Sequence, residues 1–475
     1  MDIVTNHRLY VLNNSGFACA TTSSRDARRG VGMMDKPISS SSQSRASIVL
    51  LLFIIVAHIA YLLPQANQIT EVTQSYPATA CPGPMSDAKS TALLPTKSIG
   101  IRDVANTKSQ FRKNNIGTYS VTRGALLVEG NSSNTLMLQS RAGKWTAATT
   151  CTISDPVLWF VGGTANVTSQ SKLILVNSGL SDAIVDLTSY SENGPARDIP
   201  ITVKPSSEKS IRIDSLDPGA SNVIVRVKTR SGRVTAYLLD ERVRGLNNVG
   251  ADFVAPITEA SNEFVISGIP MKFGNGSKVK HRLRIMTPGR VDTTASVEVV
   301  SPEGVFIPVG FGSISLRSQE VQEVDLSSVD LGEKTFALRI TSTAPVIAGV
   351  FTEVVKGSIS DFMWSSGTTP FGTVSFNVYG LEPSFSFVGE RIQVELSWRT
   401  NTGKNGSKTL IGEEIINWTV PANLRMLTIT NRSGAVGSLT WITNDGVTHL
   451  PITPSTNLES ATKPIADVKV IQPQS

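Results

Sequence analysis

The sequence predicts an all-β protein: tandem immunoglobulin-like β-sandwich repeats, with a period of about 110 residues, after one N-terminal transmembrane helix. Three observations predict it. One apolar run, Ala46–Leu63, lies between a basic, serine-rich head and a long tail. Beyond Pro64 no segment keeps a 3.6-residue apolar period, whereas short β-branched runs (LILV, NVIVRV, VTAYLL, SVEVV) alternate with turn signals (NSG, DPG, RSG, TPG). The middle of the chain also repeats itself, at a spacing that suits a sandwich of about 100 residues and not a solenoid.

Residues 1–45 read as a disordered cytoplasmic head, with Arg8, Arg25, Arg28, Arg29, Lys36 and Arg45. Residues 46–63, ASIVLLLFIIVAHIAYLL, contain one strongly polar side chain, His58. At ~1.5 Å per residue such a helix spans roughly 27 Å, close to the ~30 Å hydrocarbon core. The next basic residue after it is Lys89, so the positive side stays in the cytoplasm and the C-terminal region is extracellular. The run is longer than a signal-peptide core, and Pro64-Gln65-Ala66 is a poor cleavage site, so an uncleaved signal-anchor is expected, with a cleaved signal peptide as the alternative. Met33 or Met34 would serve equally as the start.

Residues 64–95 read as a stalk and 96–158 as an N-terminal β-module. Repeat 1 covers 159–258, repeat 2 covers 259–372, a divergent repeat 3 covers 373–454, and 455–475 form a flexible tail. Leu173 and Leu283 match, as do Gly179 and Gly289, each 110 apart; Val234, Ala236 and Glu241 match Val346, Ala348 and Glu353, each 112 apart. Each unit closes on an acidic-aromatic step, Asp252-Phe253 and Asp361-Phe362. Strung together, such modules would form a rod.

The net charge is +6, half of it in the head, and the balanced remainder offers no basic stripe for nucleic acid. Of three cysteines only Cys81 and Cys151 lie beyond the apolar run, which predicts one disulfide in an oxidising compartment; two free thiols are the alternative. Two histidines in the exported part, His281 and His449, are too few and too distant from the cysteines for a metal site.

Catalytic signals are weak. There is no G-x-S-x-G elbow, and His281 reads as an exposed strand-edge residue. Glycoside hydrolysis needs two facing carboxylates, but Asp240-Glu241 and Glu413-Glu414 are adjacent pairs whose side chains point to opposite faces of a strand. No enzyme activity and no cofactor are expected. Sugar stacking is the better functional candidate. Among six tryptophans, Trp364 in the small-residue stretch SDFMWSSG and Trp398 are the candidate stacking residues, against the ordinary alternative of core tryptophans. Asn-x-Ser/Thr triplets at Asn131, Asn166, Asn275, Asn405, Asn417 and Asn431 occur in a chain rich in these residues and carry little weight.

The stretches ACPGP (80–84), WTAATTC (145–151), Trp159-Phe160-Val161-Gly162-Gly163, PVIAG (345–349) and DFMW (361–364) make residues 80–370 resemble an uncharacterised family of actinobacterial envelope proteins. These have one N-terminal membrane segment and a repetitive β-rich exported region. The resemblance implies a bacterial cell-envelope location and carries no catalytic residue. The expectation is a non-catalytic, single-pass scaffold or binding protein, with a cell-wall glycan or an envelope protein as partner. A glycan-binding protein is the alternative, and a glycan-active hydrolase a remoter one.

Overall fold

The computed structural model describes residues 79–454, except 86, 96–97, 130–133, 274–275, 328, 330–333, 358 and 444–445, together with Leu51, Leu52 and Ile54. No helix among the described residues is long and apolar enough to cross a membrane. The predicted span Ala46–Leu63 lies, those three residues aside, outside the described residues, as do the head and the tail. Internal contacts divide the chain into 1–71 with 463–475, and 72–462; every strand belongs to the latter.

From Thr79 onward the described residues are all-β, with their strands in six sheets. The N-terminal sandwich starts earlier than the sequence suggests. Thr79–Cys81 pairs with Leu126–Val128, and Lys89–Leu93 lies between Thr118–Val121 and Leu136–Arg141, so residues expected to form a stalk are sheet. These strands are short and polar, but Ser90, Ala92 and Leu93 are buried. Such brevity gives a sequence pattern too little length to register.

Residues 157–254 and 261–366 pair their strands in the same order. In the former, Lys172–Asn177 lies between Ser207–Arg212 and Val234–Arg244, and the latter strand pairs onward with Asn247–Val254. In the latter, Lys278–Met286 lies between Gln322–Asp325 and Phe336–Lys356, which pairs onward with Ile359–Ser366. The facing sheets agree too: Ala183–Ser191, Ile224–Ser231 and Val157–Val161 follow one another as do Thr293–Ser301, Phe336–Lys356 and Ser261–Ile269. Leu173 opposes Leu238 where Leu283 opposes Val350. The two acidic-aromatic steps, however, are not counterparts. Phe253 opposes Leu239, and the residue opposite the corresponding Phe351 is Trp364, two positions beyond Phe362. A two-residue shift leaves side chains on the same face of a strand, so the sequence match survives the slip.

In the C-terminal sandwich the long strand Ser384–Thr400 runs through one six-stranded sheet and changes neighbour along its length. Its first half pairs with Val436–Ile442 and its second with Leu424–Asn431. Between them the register breaks at Gly389/Ile392, opposite Glu414, whose φ is +60°.

The sandwiches do not form a rod. Each ends in an edge strand: Trp145–Thr150, Asn247–Val254, Ile359–Ser366 and Val447–Pro451. These four inner strands pack consecutively, and the last packs on the first, closing a ring. Each is buried where it meets its neighbours, with Trp145, Phe253, Trp364 and Leu450 among the core residues. An edge strand with such side chains cannot face water, and the ring gives each one a cover.

Candidate functional site

Inner strands that meet without a shared ladder leave backbone N–H groups to satisfy, and two aspartates do so. Asp361 accepts the N–H of Ala251 at 3.2 Å on one oxygen and that of Val447 at 2.9 Å on the other. Asp252 accepts the Trp364 N–H at 2.9 Å and the Thr448 hydroxyl at 2.8 Å. Burial pushes both carboxyls well above the usual carboxylate range, and Asp361 adds repulsion at Asp252. Gly250 and Gly446 make room: a Cβ on Gly446 would lie 1.9 Å from Asp361 Oδ2.

A second polar cluster joins the first sandwich to the second. Asp240 accepts Ser171 Oγ at 2.7 Å, Trp364 Nε1 at 2.9 Å and the Arg242 guanidinium at 2.7 Å. Burial pushes this carboxyl up, but Arg242 and the hydrogen bonds outweigh it and hold it below its ordinary value. Arg242 lies 4.4 Å from the centre of the Phe351 ring, and Arg284 lies 4.9 Å from that of Trp364. Arg284 is 2% exposed and donates to the carbonyls of Gly163 and Val223 and to Glu323. Here the charged groups serve as a seam between sheets.

The predicted residues fall as follows. Cys81 and Cys151 form a disulfide. Beside it Tyr237, its hydroxyl pushed up to about 12 by burial, donates to the Ala80 carbonyl and accepts the Thr152 N–H at 3.0 Å. Trp364 lies in a strand, not an exposed loop, and is fully buried, so it has no face for a sugar. Trp398 is half-buried and packs on Trp418 with ring centres 5.9 Å apart, as part of the C-terminal core. The other four tryptophans are each at most 8% exposed. No aromatic platform is therefore assembled among the described residues. His281 is buried too, its Nδ1 3.0 Å from Thr352 Oγ1, because its side chain faces the Phe336 ring and not solvent. Among the described residues no three His, Cys, Asp or Glu groups are placed to hold a metal ion. Asn131 and Asn275 lie outside the described residues.

An accessible feature among the described residues is a groove of about 800 Å³ between the second and C-terminal sandwiches. Its lining includes the apolar Val265, Val388 and Val436 and the charged Arg339, Arg391, Arg432, Glu263 and Glu390. Arg339 is bonded to Glu298 at 3.2 Å and to Glu414 at 3.1 Å. Arg432 is held by Glu395. Glu263, Glu390 and Arg391 form no ion pair among the described residues and stay available. No sequence signal marks this site, because it arises from a register break in one sandwich facing a sheet of another.

Residues 122–410 match a family of unknown function, DUF5719, and the chain belongs to it. No curated protein sequence matches. Among solved structures, Thermotoga maritima 1070 is 14% identical over 23% of this chain and 94% of its own, with a TM-score of 0.20. The Streptomyces avermitilis α-L-rhamnosidase complexed with L-rhamnose is 9% identical, over 75% of this chain and 54% of its own, with a TM-score of 0.12. Similarity this low transfers neither fold detail nor function.

Proposed function

We propose that the protein is a non-catalytic scaffold or binding protein of the bacterial cell envelope, anchored by Ala46–Leu63 with its N-terminus in the cytoplasm. In this reading the two sandwiches with matching strand order are tandem copies of one immunoglobulin-like unit, closed with the flanking sandwiches into a ring. The observation that carries the binding role is the open groove between the second and C-terminal sandwiches, whose rim keeps unpaired charges. The buried acids, by contrast, are engaged in joining sheets. The Cys81–Cys151 disulfide supports export to an oxidising compartment. Photo-crosslinking from Arg391 in intact cells tests the role. A discrete envelope partner is expected; labelling of cytoplasmic proteins alone would overturn it.

A further inference from the structure

The seam between the first and second sandwiches shows what can fill the groove of the next seam. Arg226 opposes Trp159 on one side and Thr188 on the other, and Arg339 opposes Val265 and Glu298. Tyr190 opposes Ile224 where Val300 opposes Ala337. The ladders thus equate Trp159, Tyr190 and Ile224 with Val265, Val300 and Ala337. In the first seam the Trp159 and Tyr190 rings, 5.4 Å apart, pack into the core of the next sandwich, with Arg226 5.7 and 5.9 Å from their centres. In the second seam Val300 and Ala337 are buried against Val388 and Ile415 of the C-terminal sandwich, whereas Val265, in the place of Trp159, lines the groove beside the kept arginine, Arg339. No Phe, Tyr or Trp lines it.

We infer that this groove binds a polypeptide segment that inserts a tryptophan or tyrosine side chain against Arg339, supplying in trans the aromatic ring that Trp159 supplies in cis. Glu298 and Glu414 bond the guanidinium through its edge nitrogens, which leaves its planar face for a ring. The volume exceeds that of one side chain, so flanking peptide groups fit, and Glu263, Glu390 and Arg391 can take their hydrogen bonds. A glycan is disfavoured because the lining offers no ring for a sugar to stack on.

The inference rests on the binding role proposed above, and the test separates the two. The purified full-length chain is titrated with acetyl-Gly-(5-fluoro-Trp)-Gly-amide and, by ligand-observed proton NMR, with acetyl-Gly-Ala-Gly-amide. Saturable 19F broadening is expected from the tryptophan peptide and no binding from the alanine peptide. Val265→Trp, and separately the milder Val265→Met, extend the groove's own lining into it and should weaken binding at least tenfold with an unchanged melting temperature. Equal binding of the two peptides, binding undiminished in both variants, or displacement by soluble wall glycan fragments would each overturn the inference. If the peptide fails while crosslinking from other faces still captures an envelope partner, the groove assignment falls and the binding role stands.

Discussion

Asp252 and Asp361 are held by similar bonds but should respond differently to substitution. Asp361 takes N–H donors on both oxygens, so Asp361→Ala strands two buried donors, at about 1–3 kcal/mol each. A large drop in melting temperature by calorimetry is the expected result. Asp252 bonds one N–H and one hydroxyl, and a hydroxyl can accept as well as donate. Asp252→Asn therefore keeps both bonds and should be tolerated. The pH behaviour follows from the signs. The two raised carboxyls favour the folded state at low pH, and that contribution is lost as pH rises through their folded values. His281 and His449 are lowered by burial to about 4 from 6.5, so their contribution is lost as pH falls from 6.5 through 4. Thermal unfolding across pH should show a maximum with two falling arms, and Asp252→Asn should flatten the alkaline arm alone. A curve that declines only on the acid side would contradict the assignment for both aspartates. Trp364 shows why residue-level roles were hard to read from sequence. Small neighbours suggested an exposed loop, but those serines lie in a strand whose cover comes from a different sandwich.

Strand existence was largely legible, because alternation and turn signals are local. Pairing order was partly so: the matches at Leu173/Leu283 and Ala236/Ala348 hold in the ladders, while the aspartate–phenylalanine steps slip by two. The inner edge strands were not legible as edges, since what distinguishes them is contact with residues far away in sequence, such as Thr146 Oγ1 to Thr443 Oγ1 at 2.8 Å across 297 positions. Gly446→Ala tests their fit. The new Cβ would lie 2.7 Å from the Thr146 nitrogen as well as on Asp361, and neither backbone nor a bonded carboxylate can yield. A loss of melting temperature comparable with that of Asp361→Ala is expected; a neutral result would mean the inner strands pack more loosely. The groove was illegible for a related reason, being defined in part by what Val265 lacks relative to Trp159, which holds the corresponding place in another sheet.

At the scale of the molecule, four sandwiches joined in a ring share their seams. Leu93, Leu136 and Ala148 of the N-terminal sandwich sit in the core of the C-terminal one, and Asn377 donates to the Leu94 and Gly117 carbonyls. Removing one sandwich exposes two seams, so residues 79–454 should unfold in one cooperative step. Limited proteolysis should give no stable single-sandwich fragment. Cys81→Ser with Cys151→Ser opens a cross-link over 70 residues of sequence and should cost about 4 kcal/mol in the chain-entropy account, read as a lowered urea midpoint.

The same cross-link decides how the protein carries a pulling force. Cys81 ends the first described strand, Thr79–Cys81, and Cys151 directly follows the inner strand Trp145–Thr150. Tension arriving along the chain before Thr79 therefore passes through sulfur to the centre of the ring, and the residues between the cysteines bear none of it. Single-molecule extension should show a length increment, at roughly 3.5 Å per residue, that appears only after reduction and corresponds to the hidden loop.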